Sequence, residues 1–358
     1  MINVSENIKS ISPYVPGKPL EELERELGIT GSIKLASNEN PLGPSPKAIA
    51  AIKKSLDGLN RYPDGSGFYL TQELAKSVDV DLSWIILGNG SNELIELAVR
   101  TFVQSGDEVV SADPSFVVYT MITQAAGGAN IIVPCRDSRH DLDAMAERIT
   151  QRTKLVFIAN PNNPTGTINT RVEMDRFMGR VPDEVVVVVD EAYYEYVTHA
   201  DYPESLDYLR AGKNVLALRT FSKVYGLAGL RIGYGISKPE ITALMNKVRQ
   251  PFNTNSLAQI GALAALGDRK HVERAIAVNN EGKQFLYRSF EHLGVSYIPT
   301  ETNFILFETR FDSKEVYNLL LKTGVIIRPL AGNRLRVTIG RPEENQRFVA
   351  ELEKIVKA

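Results

Sequence analysis

The sequence of 358 residues has one cysteine, a small net charge and no long apolar run. Each of these features argues against a class of protein. Cys135 is the only cysteine, so no disulfide bond can form within the chain. A net charge of -2 gives no reason to expect binding to nucleic acid or to an anionic membrane surface. No apolar run reaches the roughly 18 residues of a membrane-spanning helix, and the first residues lack the pattern of a signal peptide. We therefore expect a cytoplasmic protein without nucleic-acid or membrane partners.

Histidine is scarce as well. The chain has four histidines, and none of them stands in a motif described below. No spacing of histidine, cysteine, aspartate or glutamate in the sequence matches the spacing of a metal site. We therefore expect the chain to bind no metal ion.

The order of apolar runs predicts two domains, for which the chain is long enough. Short apolar runs alternate with helical stretches between residues 46 and 250, which indicates a parallel sheet in a three-layer α/β domain. The all-valine run at 185–189 is typical of a central strand that is buried on both faces. Long helices and shorter strands follow, which is typical of a smaller α+β domain.

The first 30 residues are predicted to form an arm, because prolines at positions 13, 16 and 19 favour extended backbone there. A short helix over 20–27 should end at Gly28. The polar stretch that follows has no periodicity, and we assign it to the small domain. The predicted units are the N-terminal arm at 1–30, the large domain at 45–254, and the small domain at 31–44 and 255–358.

The segment from Thr220 to Tyr234 carries one lysine and one arginine between two predicted strands. Burial disfavours the charged form of a lysine, so the pKa of Lys223 should fall and its amine should become a nucleophile for carbonyls. The planar guanidinium of Arg231 suits a phosphate group. A lysine amine that can bind an aldehyde, close to an arginine that can bind a phosphate, indicates pyridoxal phosphate as the ligand. A surface loop with two ordinary cations is the alternative.

Two loops rich in glycine or proline follow other predicted strands. Residues 88–93 place glycines before a helix, where free backbone N–H groups favour a phosphate. A plain helix N-cap at Ser91 is the alternative there. Residues 160–167 hold Asn163 among prolines, so that its amide is aimed rigidly and suits a phenolate oxygen. A tight Asn-Pro turn without a ligand is the alternative in this second loop.

Asp190 ends the valine strand, where a buried carboxylate is costly unless it meets a cation. The nitrogen of a pyridinium ring is such a cation, and Tyr193 would then reach the neighbouring ring oxygen. Capping of a following helix by Asp190 is the alternative. Phe116 follows another strand and could stack on a flat ring, although most aromatic residues at such positions belong to the core.

In this order, the motifs resemble those of the fold-type I pyridoxal-phosphate aminotransferases, and among them the family of histidinol-phosphate aminotransferases. The resemblance extends from Tyr14 to the last predicted helix. It implies a large domain with a mainly parallel seven-stranded sheet beside a smaller α+β domain. The motifs that carry it are NENPLGP at 38–44, RYPDG at 61–65, GNGSNE at 88–93, NPNNPTG at 160–166, DEAYYEY at 190–196, FSKVYGLAGLRIGY at 221–234, TNF at 302–304 and LRVTIG at 335–340.

The resemblance implies that pyridoxal 5'-phosphate binds covalently to Lys223, which also acts as the base for a proton shift. Asp190 would keep the pyridine nitrogen protonated, so that the ring accepts electrons. Tyr193 and Asn163 would bond the phenolic oxygen, and Phe116 stands where the family has a stacking aromatic residue, often a tyrosine. The residues implied for the cofactor phosphate are Ser91, Asn92, Thr220, Ser222, Arg231 and, from the neighbouring subunit, Tyr62.

The resemblance also implies a substrate pocket. Arg336 matches the arginine that binds the α-carboxylate of the substrate, and Asn40 should line the same mouth. Tyr14 and Tyr119 match aromatic positions around the side-chain end of the substrate. Arg328 would contact a phosphate group at that end.

The implied enzyme is a homodimer with shared active sites. The arm around Tyr14 and the loop around Tyr62 would both reach the active site of the neighbouring subunit. The reaction implied is the interconversion of L-histidinol phosphate and 2-oxoglutarate with imidazole-acetol phosphate and glutamate, in histidine biosynthesis.

Three other functions stay open. Phe252 stands at a wall of the implied pocket where a tyrosine also occurs in the family, so this chain lacks a hydroxyl that could help bind a phosphate. An aromatic amino acid aminotransferase is therefore one alternative. A threonine-phosphate decarboxylase, which shares the scaffold, is another. A cofactor-sensing regulator would need a DNA-binding module, and the sequence has no basic extension of that kind.

Overall fold

The computed structural model describes residues 4–14 and 16–357. Residues 1–3 and Val15 of the predicted arm, and residue 358 of the predicted small domain, lie outside the described residues. Within the described ranges, no helix is both long enough and apolar enough to cross a membrane.

Strands and helices alternate through the middle of the chain, as the apolar pattern predicts. The strands are β1 (Ile33–Lys34), β2 (Ile85–Gly88), β3 (Glu108–Asp113), β4 (Ala129–Pro134), β5 (Thr153–Ala159), β6 (Val186–Asp190), β7 (Val215–Thr220), β8 (Gly233–Ser237), β9 (Ser296–Ile298), β10 (Phe304–Glu308), β11 (Val325–Ile326), β12 (Arg328–Pro329) and β13 (Arg334–Thr338). The α-helices are α1 (Glu6–Lys9), α2 (Leu20–Leu27), α3 (Pro46–Lys54), α4 (Phe68–Val78), α5 (Ser91–Phe102), α6 (Val118–Ala125), α7 (Leu142–Glu147), α8 (Arg171–Arg180), α9 (Ser205–Arg210), α10 (Pro239–Val248), α11 (Ser256–Leu266), α12 (Arg269–Leu293), α13 (Ser313–Lys322) and α14 (Pro342–Val356).

In the described part of the chain, seven strands form one sheet in the order β2-β8-β7-β6-β5-β3-β4. β8 runs antiparallel to both of its neighbours, and the other strand pairs of this sheet are parallel. The predicted mainly parallel seven-stranded sheet is therefore confirmed. Every residue of β6 is buried, because its run of valines lies in the middle of the sheet with helices on both faces.

Helices cover both faces of this sheet and complete the three layers. On one face, helices α3, α4, α7, α8, α9 and α11 pack in a core that includes Val187 and Val189. On the other face, α5, α6 and α10 pack in a core that includes Val186 and Val188. Successive side chains of a strand point to opposite faces, so the valines of β6 contribute alternately to the two cores.

A smaller antiparallel sheet, in the order β12-β13-β10-β9, lies in the C-terminal part of the chain. Helices α12, α13 and α14 pack around it in a core that includes Phe290, Phe307 and Phe348. β1, which belongs to the stretch 31–44, pairs in parallel with β11. That stretch is therefore hydrogen-bonded to the C-terminal part of the chain. The exact domain limits stay a prediction.

The described part of the arm packs on the rest of the same chain. Asn7 Nδ2 donates to Gln124 O at 3.1 Å, and Gln124 Nε2 donates to Asn7 O at 3.0 Å, so α1 is attached to α6. Helix α2 ends at Gly28, whose φ of +66° is easily adopted only by a residue without a side chain. The predicted helix over 20–27 is confirmed.

Because β3, β5, β6 and β7 are parallel, their carboxyl ends meet at one edge of the sheet. The loops that leave these ends carry most of the residues predicted for the cofactor. The stretch 31–44 and strands β12 and β13 contribute residues opposite this edge. The candidate site lies between them.

Candidate active site

A cavity of about 320 Å³ lies between the carboxyl edge of the large sheet and the small sheet. Nearly all residues predicted for the cofactor line it, namely Ser91, Asn92, Phe116, Asn163, Asp190, Tyr193, Thr220, Ser222, Lys223 and Arg231. Tyr62 does not. Of the residues predicted for the substrate, Tyr14, Tyr119, Arg328 and Arg336 line the cavity, whereas Asn40 and Phe252 do not.

Lys223 lies in the loop between β7 and β8. Its Nζ donates to Ser37 O at 3.2 Å and lies 5.7 Å from the centre of the Tyr193 ring. The loop meets the stretch 31–44 closely at Gly226, where a Cβ would lie 2.2 Å from Gly43 O. A glycine is therefore required for the contact that brings Lys223 to the 31–44 stretch.

Burial lowers the pKa of Lys223 to about 8, and the charges of Arg336 and Arg231 act in the same direction. The carboxylates of Glu39 and Asp190 oppose this shift without cancelling it. A sizeable fraction of the amine is therefore neutral just above neutral pH. A neutral amine is the form that attacks a carbonyl carbon.

Asp190 ends β6 with 7% of its surface exposed. Its Oδ2 accepts a hydrogen bond from the Tyr119 hydroxyl at 2.7 Å, and its Oδ1 accepts one from Ala192 N at 3.2 Å. Burial raises the pKa of Asp190, and the two hydrogen bonds and the charge of Lys223 oppose this rise. Asp190 makes no ion pair with any described residue. A cation that enters the cavity would therefore stabilise its charged form.

The loop before α5 and the loop after β7 form a cradle for an anion. Arg231 Nη1 donates to Ser222 Oγ at 3.2 Å. Gly90, with a φ of +78°, precedes the first residue of α5, and a Cβ there would lie 2.4 Å from Arg231 Nη2. A Cβ on Gly233 would lie 2.4 Å from Ser91 N. Glycines thus let the N–H groups of the helix start and the guanidinium converge, as binding of a phosphate requires.

Two side chains are suited to a ring oxygen. The Tyr193 hydroxyl accepts a hydrogen bond from Asn38 Nδ2 at 2.8 Å, and burial raises the pKa of Tyr193 to about 12. It therefore stays protonated and can donate its own proton. Asn163 Oδ1 accepts a hydrogen bond from Arg336 Nη1, which leaves the amide nitrogen of Asn163 as the donor for a ligand.

Two arginines of the cavity lie outside the phosphate cradle. Arg336 Nη2 donates to Ala36 O at 2.8 Å, and its buried Nε has no hydrogen-bond partner among the described residues. Burial lowers the pKa of Arg336. The Arg328 guanidinium carbon lies 5.6 Å from the centre of the Tyr14 ring. A buried guanidinium with an unused donor suits a carboxylate or phosphate of a ligand.

Two residues predicted for the substrate have other contacts. The Tyr119 hydroxyl donates a hydrogen bond to Asp190, and the side chain is 1% exposed, so this residue supports the carboxylate as well as lining the cavity. Asn40 Nδ2 donates to Val224 O at 2.7 Å, and Asn40 fixes the 31–44 stretch to the Lys223 loop instead of lining the cavity. Asn40 therefore does not line the cavity as predicted, whereas Tyr119 does, and a contact of Tyr119 with a substrate stays a prediction.

Asn38 lines the cavity and was not predicted. It stands in the same NENPLGP motif as Asn40, and it has a φ of +56°. Its backbone is held by Thr338 Oγ1, which accepts from Asn38 N at 2.9 Å, and by Asn303 Nδ2, which donates to Asn38 O at 3.0 Å. The motif marks the segment, but only these contacts with distant residues determine which asparagine faces the cavity.

Tyr14 lines the cavity of its own chain, and its predicted contact with the active site of a neighbouring subunit stays a prediction. Tyr62 and Phe252, by contrast, lie outside this cavity. Their rings stack on each other with centres 4.7 Å apart and planes 18° apart. Tyr62 is 83% exposed and Phe252 is 46% exposed, and the predicted place of Phe252 at a wall of a substrate pocket stays a prediction.

Known proteins resemble this chain over its whole length. The family model for aminotransferase class I and II matches residues 30–352. A histidinol-phosphate aminotransferase from Moorella thermoacetica is 52% identical over 356 residues, which cover 98% of this chain and 92% of the relative. Histidinol-phosphate aminotransferase 2 of Hydrogenovibrio crunogenus is 49% identical, with 98% of this chain and 95% of the relative covered.

A solved structure is similar as well. The crystal structure of histidinol-phosphate aminotransferase from Sinorhizobium meliloti in complex with pyridoxal-5'-phosphate has a TM-score of 0.92. Its sequence is 28% identical, and the match covers 100% of this chain and 98% of that chain. The chain belongs to the class I and II aminotransferase family.

Proposed function

We propose that this chain is a pyridoxal-phosphate-dependent histidinol-phosphate aminotransferase. It interconverts L-histidinol phosphate and 2-oxoglutarate with imidazole-acetol phosphate and glutamate. The observation that carries the proposal is one cavity that contains Lys223, Asp190 and a phosphate cradle together with two further arginines. The names of the full-length relatives support the same substrate. A cytoplasmic location stays part of the proposal.

The residues of the cavity fit pyridoxal phosphate. The cradle around Arg231 accommodates a phosphate only because Gly90 and Gly233 have no side chains. Asp190 is a buried carboxylate without an ion-pair partner among the described residues, as a pyridinium nitrogen requires. Lys223 would hold the aldehyde carbon. When bound, the cofactor supplies an electron sink for the bond that breaks at the substrate Cα.

Other residues would fix the orientation of the cofactor. The hydroxyl of Tyr193 and the amide nitrogen of Asn163 would bond the phenolic oxygen, and Phe116 would cover one face of the ring. The phosphate would be held by Ser91, Asn92, Thr220, Ser222 and Arg231.

Lys223 also has the properties of the base in the reaction. Its pKa near 8 lets the free amine accept a proton from the substrate Cα. The same amine would then hold that proton until it is returned. One group thus removes and returns the proton, so no second base is needed.

The two amino donors of the proposed reaction, glutamate and histidinol phosphate, have different side chains and also differ at the second carbon substituent of Cα. Glutamate has a carboxylate there, and histidinol phosphate has a phosphorylated hydroxymethyl group. Both are anions, and the unused Nε of Arg336 suits either of them. Arg328 adds a second positive charge beside Tyr14, which suits the larger charge of the phosphate.

Steady-state kinetics with a panel of amino donors tests the proposed substrate. L-Histidinol phosphate should give the highest kcat/KM with 2-oxoglutarate as acceptor. A higher kcat/KM for phenylalanine would make the protein an aromatic amino acid aminotransferase. Release of CO₂ from O-phosphothreonine, without formation of glutamate, would make it a threonine-phosphate decarboxylase.

We expect Tyr119→Phe to reduce kcat about tenfold and to move the acid limb of the pH profile to higher pH. The Tyr119 hydrogen bond lowers the pKa of Asp190, so its removal raises that pKa. The charged carboxylate, which the reaction needs, is then lost at a higher pH as the solution is acidified. The measurement is the pH dependence of kcat/KM. A variant that is less stable but has an unchanged acid limb would contradict this function of Tyr119.

We also propose that the enzyme is a homodimer in which Tyr62 completes the phosphate site of the neighbouring subunit. The support is the 83% exposure of Tyr62 and its position outside its own cavity. Phe252 stacks on Tyr62 and would reach the same neighbouring site. Tyr62→Phe should therefore weaken binding of the cofactor by roughly 1–3 kcal/mol, the cost of one lost hydrogen bond to a charged group. Equilibrium dialysis of the cofactor measures this change.

Mixed dimers provide a sharper test of shared sites. Lys223→Ala subunits should be inactive, and Tyr62→Ala subunits should be strongly impaired. After subunit exchange, one of the two sites in each mixed dimer contains both wild-type residues. The mixture should therefore exceed the summed activities of its two parents. If mass spectrometry shows that exchange has occurred and the activity stays at that sum, the shared site must be abandoned.

A further inference from the structure

The stacked rings of Tyr62 and Phe252, here called the aromatic pair, are connected to the start of α5 through Asn253. This asparagine uses both ends of its amide. Its Oδ1 accepts a hydrogen bond from Arg249 Nη1 at 2.7 Å. Its Nδ2 donates to Glu93 Oε2 at 2.6 Å and to Leu87 O at 3.2 Å. The side chain is therefore fixed between two different parts of the chain.

One part is the loop that begins the phosphate cradle. Glu93 Oε2, which accepts from Asn253, also accepts from Asn89 N at 2.5 Å. Asn89 stands between two glycines, two residues before the helix start that carries Ser91 and Asn92. The Glu93 carboxylate therefore holds the backbone whose N–H groups would face the cofactor phosphate. Asn253 in turn holds that carboxylate.

The other part is the loop that carries Tyr62. Arg249, which donates to Asn253, also donates through Nη2 to Gly65 O at 3.0 Å. Gly65 lies against the Phe252 ring, since a Cβ on this glycine would be 3.6 Å from the ring. Phe252 has a φ of +55°, which is an unfavourable conformation for an aromatic residue and persists only where neighbours hold it. The hydrogen bonds of Arg249 and Asn253 hold the chain before and after Phe252.

We propose that Asn253 is a positioning residue that couples the phosphate cradle of its own subunit to the aromatic pair that this subunit contributes to the neighbouring site. This inference rests on the proposed dimer with shared sites. It predicts that one substitution disturbs two sites. In the substituted subunit, Glu93 loses its hydrogen bond from Asn253 and no longer supports the phosphate cradle. In the neighbouring site, Tyr62 and Phe252 are displaced.

Mixed dimers in which only one of the two subunits keeps Lys223 separate the two effects. In the first arrangement, Asn253→Ala is placed on the subunit that keeps Lys223, and the partner subunit carries Lys223→Ala. In the second arrangement, Asn253→Ala and Lys223→Ala are on the same subunit, and its partner is wild type. The readout is the rate at which covalently held pyridoxal phosphate leaves the single intact site during dialysis, followed by absorbance. It does not depend on the amino donor.

In both arrangements, we expect the cofactor to be released about tenfold faster than from the mixed dimer that keeps Asn253 in both subunits. This factor corresponds to the loss of one hydrogen bond to a charged group. Faster release in the first arrangement alone would overturn the coupling, because Asn253 would then serve only its own cradle. Unchanged release in both would overturn any positioning function of Asn253.

Two controls make these outcomes specific. Asn214→Ala also removes two hydrogen bonds of an asparagine, to Asp183 O and from Lys238 Nζ, but at the start of β7, and it should leave both rates unchanged. Tyr62→Ala on the Lys223→Ala subunit tests the shared site itself and should speed release. If it does not, the shared site is wrong and the coupling falls with it, even where the first arrangement responds.

Hydrogen exchange on the wild-type and Asn253→Ala homodimers gives a second, independent readout. Both homodimers are measured with the cofactor bound. We expect faster amide exchange at Asn89, whose N–H is held by Glu93, and in the loop 61–66. Exchange that rises only at Asn89 would contradict the coupling, because the loop of the aromatic pair would then be independent of Asn253.

Discussion

Lys223→Ala should abolish turnover and should leave the cofactor without covalent attachment. The amine of Lys223 is the group in the cavity whose pKa, lowered by burial to about 8, suits attack on an aldehyde. The same amine is the proposed base for the proton at Cα, so its loss removes two functions at once. We expect a loss of many powers of ten in kcat and the disappearance of the pH-sensitive absorbance of the bound cofactor.

A second buried lysine provides the matched control. Lys283 is 6% exposed, its Nζ donates to Thr300 O at 3.3 Å, and burial lowers its pKa too. It does not line the cavity. Lys283→Met should therefore keep the absorbance of the bound cofactor. Borohydride reduction of the wild-type protein, followed by peptide mapping, should find the cofactor on Lys223. Attachment to Lys283 or to any other lysine would show that Lys223 has been assigned wrongly.

Asp190→Asn should preserve the fold and reduce turnover by several powers of ten. The amide has the shape of the carboxylate and can still accept the hydrogen bond from Tyr119. It carries no charge, so it cannot stabilise a protonated pyridine nitrogen. The ring would then be a poor acceptor of the electrons released at Cα.

The measurement is kcat at saturating substrates, with circular dichroism as the control for folding. A turnover within a few-fold of wild type would show that the carboxylate only organises the end of β6 and takes no part in the reaction. A large loss in kcat without a change in the spectrum would support the pairing of Asp190 with the ring nitrogen.

The sequence predicts features that depend on local chemistry. A run of valines without polar interruptions leads to a buried central strand, and the polar residue at its end, Asp190, then necessarily lies at the carboxyl edge. Lys223 follows the next strand of the sheet for the same reason. The helix that ends at Gly28 was also predictable, because glycine readily adopts the left-handed conformation that terminates a helix.

The sequence fails where neighbours far along the chain decide which side chain faces the cavity. Asn38 and Asn40 are two residues apart in one motif, and the partners that orient them, such as Thr338, Asn303 and Val224, are remote in sequence. Tyr119 was placed at the substrate because it matches an aromatic position of the family that the chain resembles. Its hydrogen bond to Asp190 spans 71 residues and is visible only in the folded chain.

Contacts of the arm illustrate the same limit. Prolines predict extended backbone around Tyr14, but they do not determine which side chains its ring contacts. Arg328, 314 positions further along the chain, provides the cation beside its ring. The Tyr62 ring stacks on Phe252 and is 83% exposed, and its contact with a second subunit stays a proposal.

One measurement tests the proposed reaction most directly. Enzyme with bound cofactor is mixed with an excess of L-histidinol phosphate in the absence of any oxo acid, and the products are quantified after quenching. The residues of the cavity predict one equivalent of imidazole-acetol phosphate per active site and no CO₂. Later addition of 2-oxoglutarate should then yield one equivalent of glutamate for each further turnover. Absence of product from histidinol phosphate, under conditions in which phenylalanine reacts, would contradict the proposed function, and so would release of CO₂.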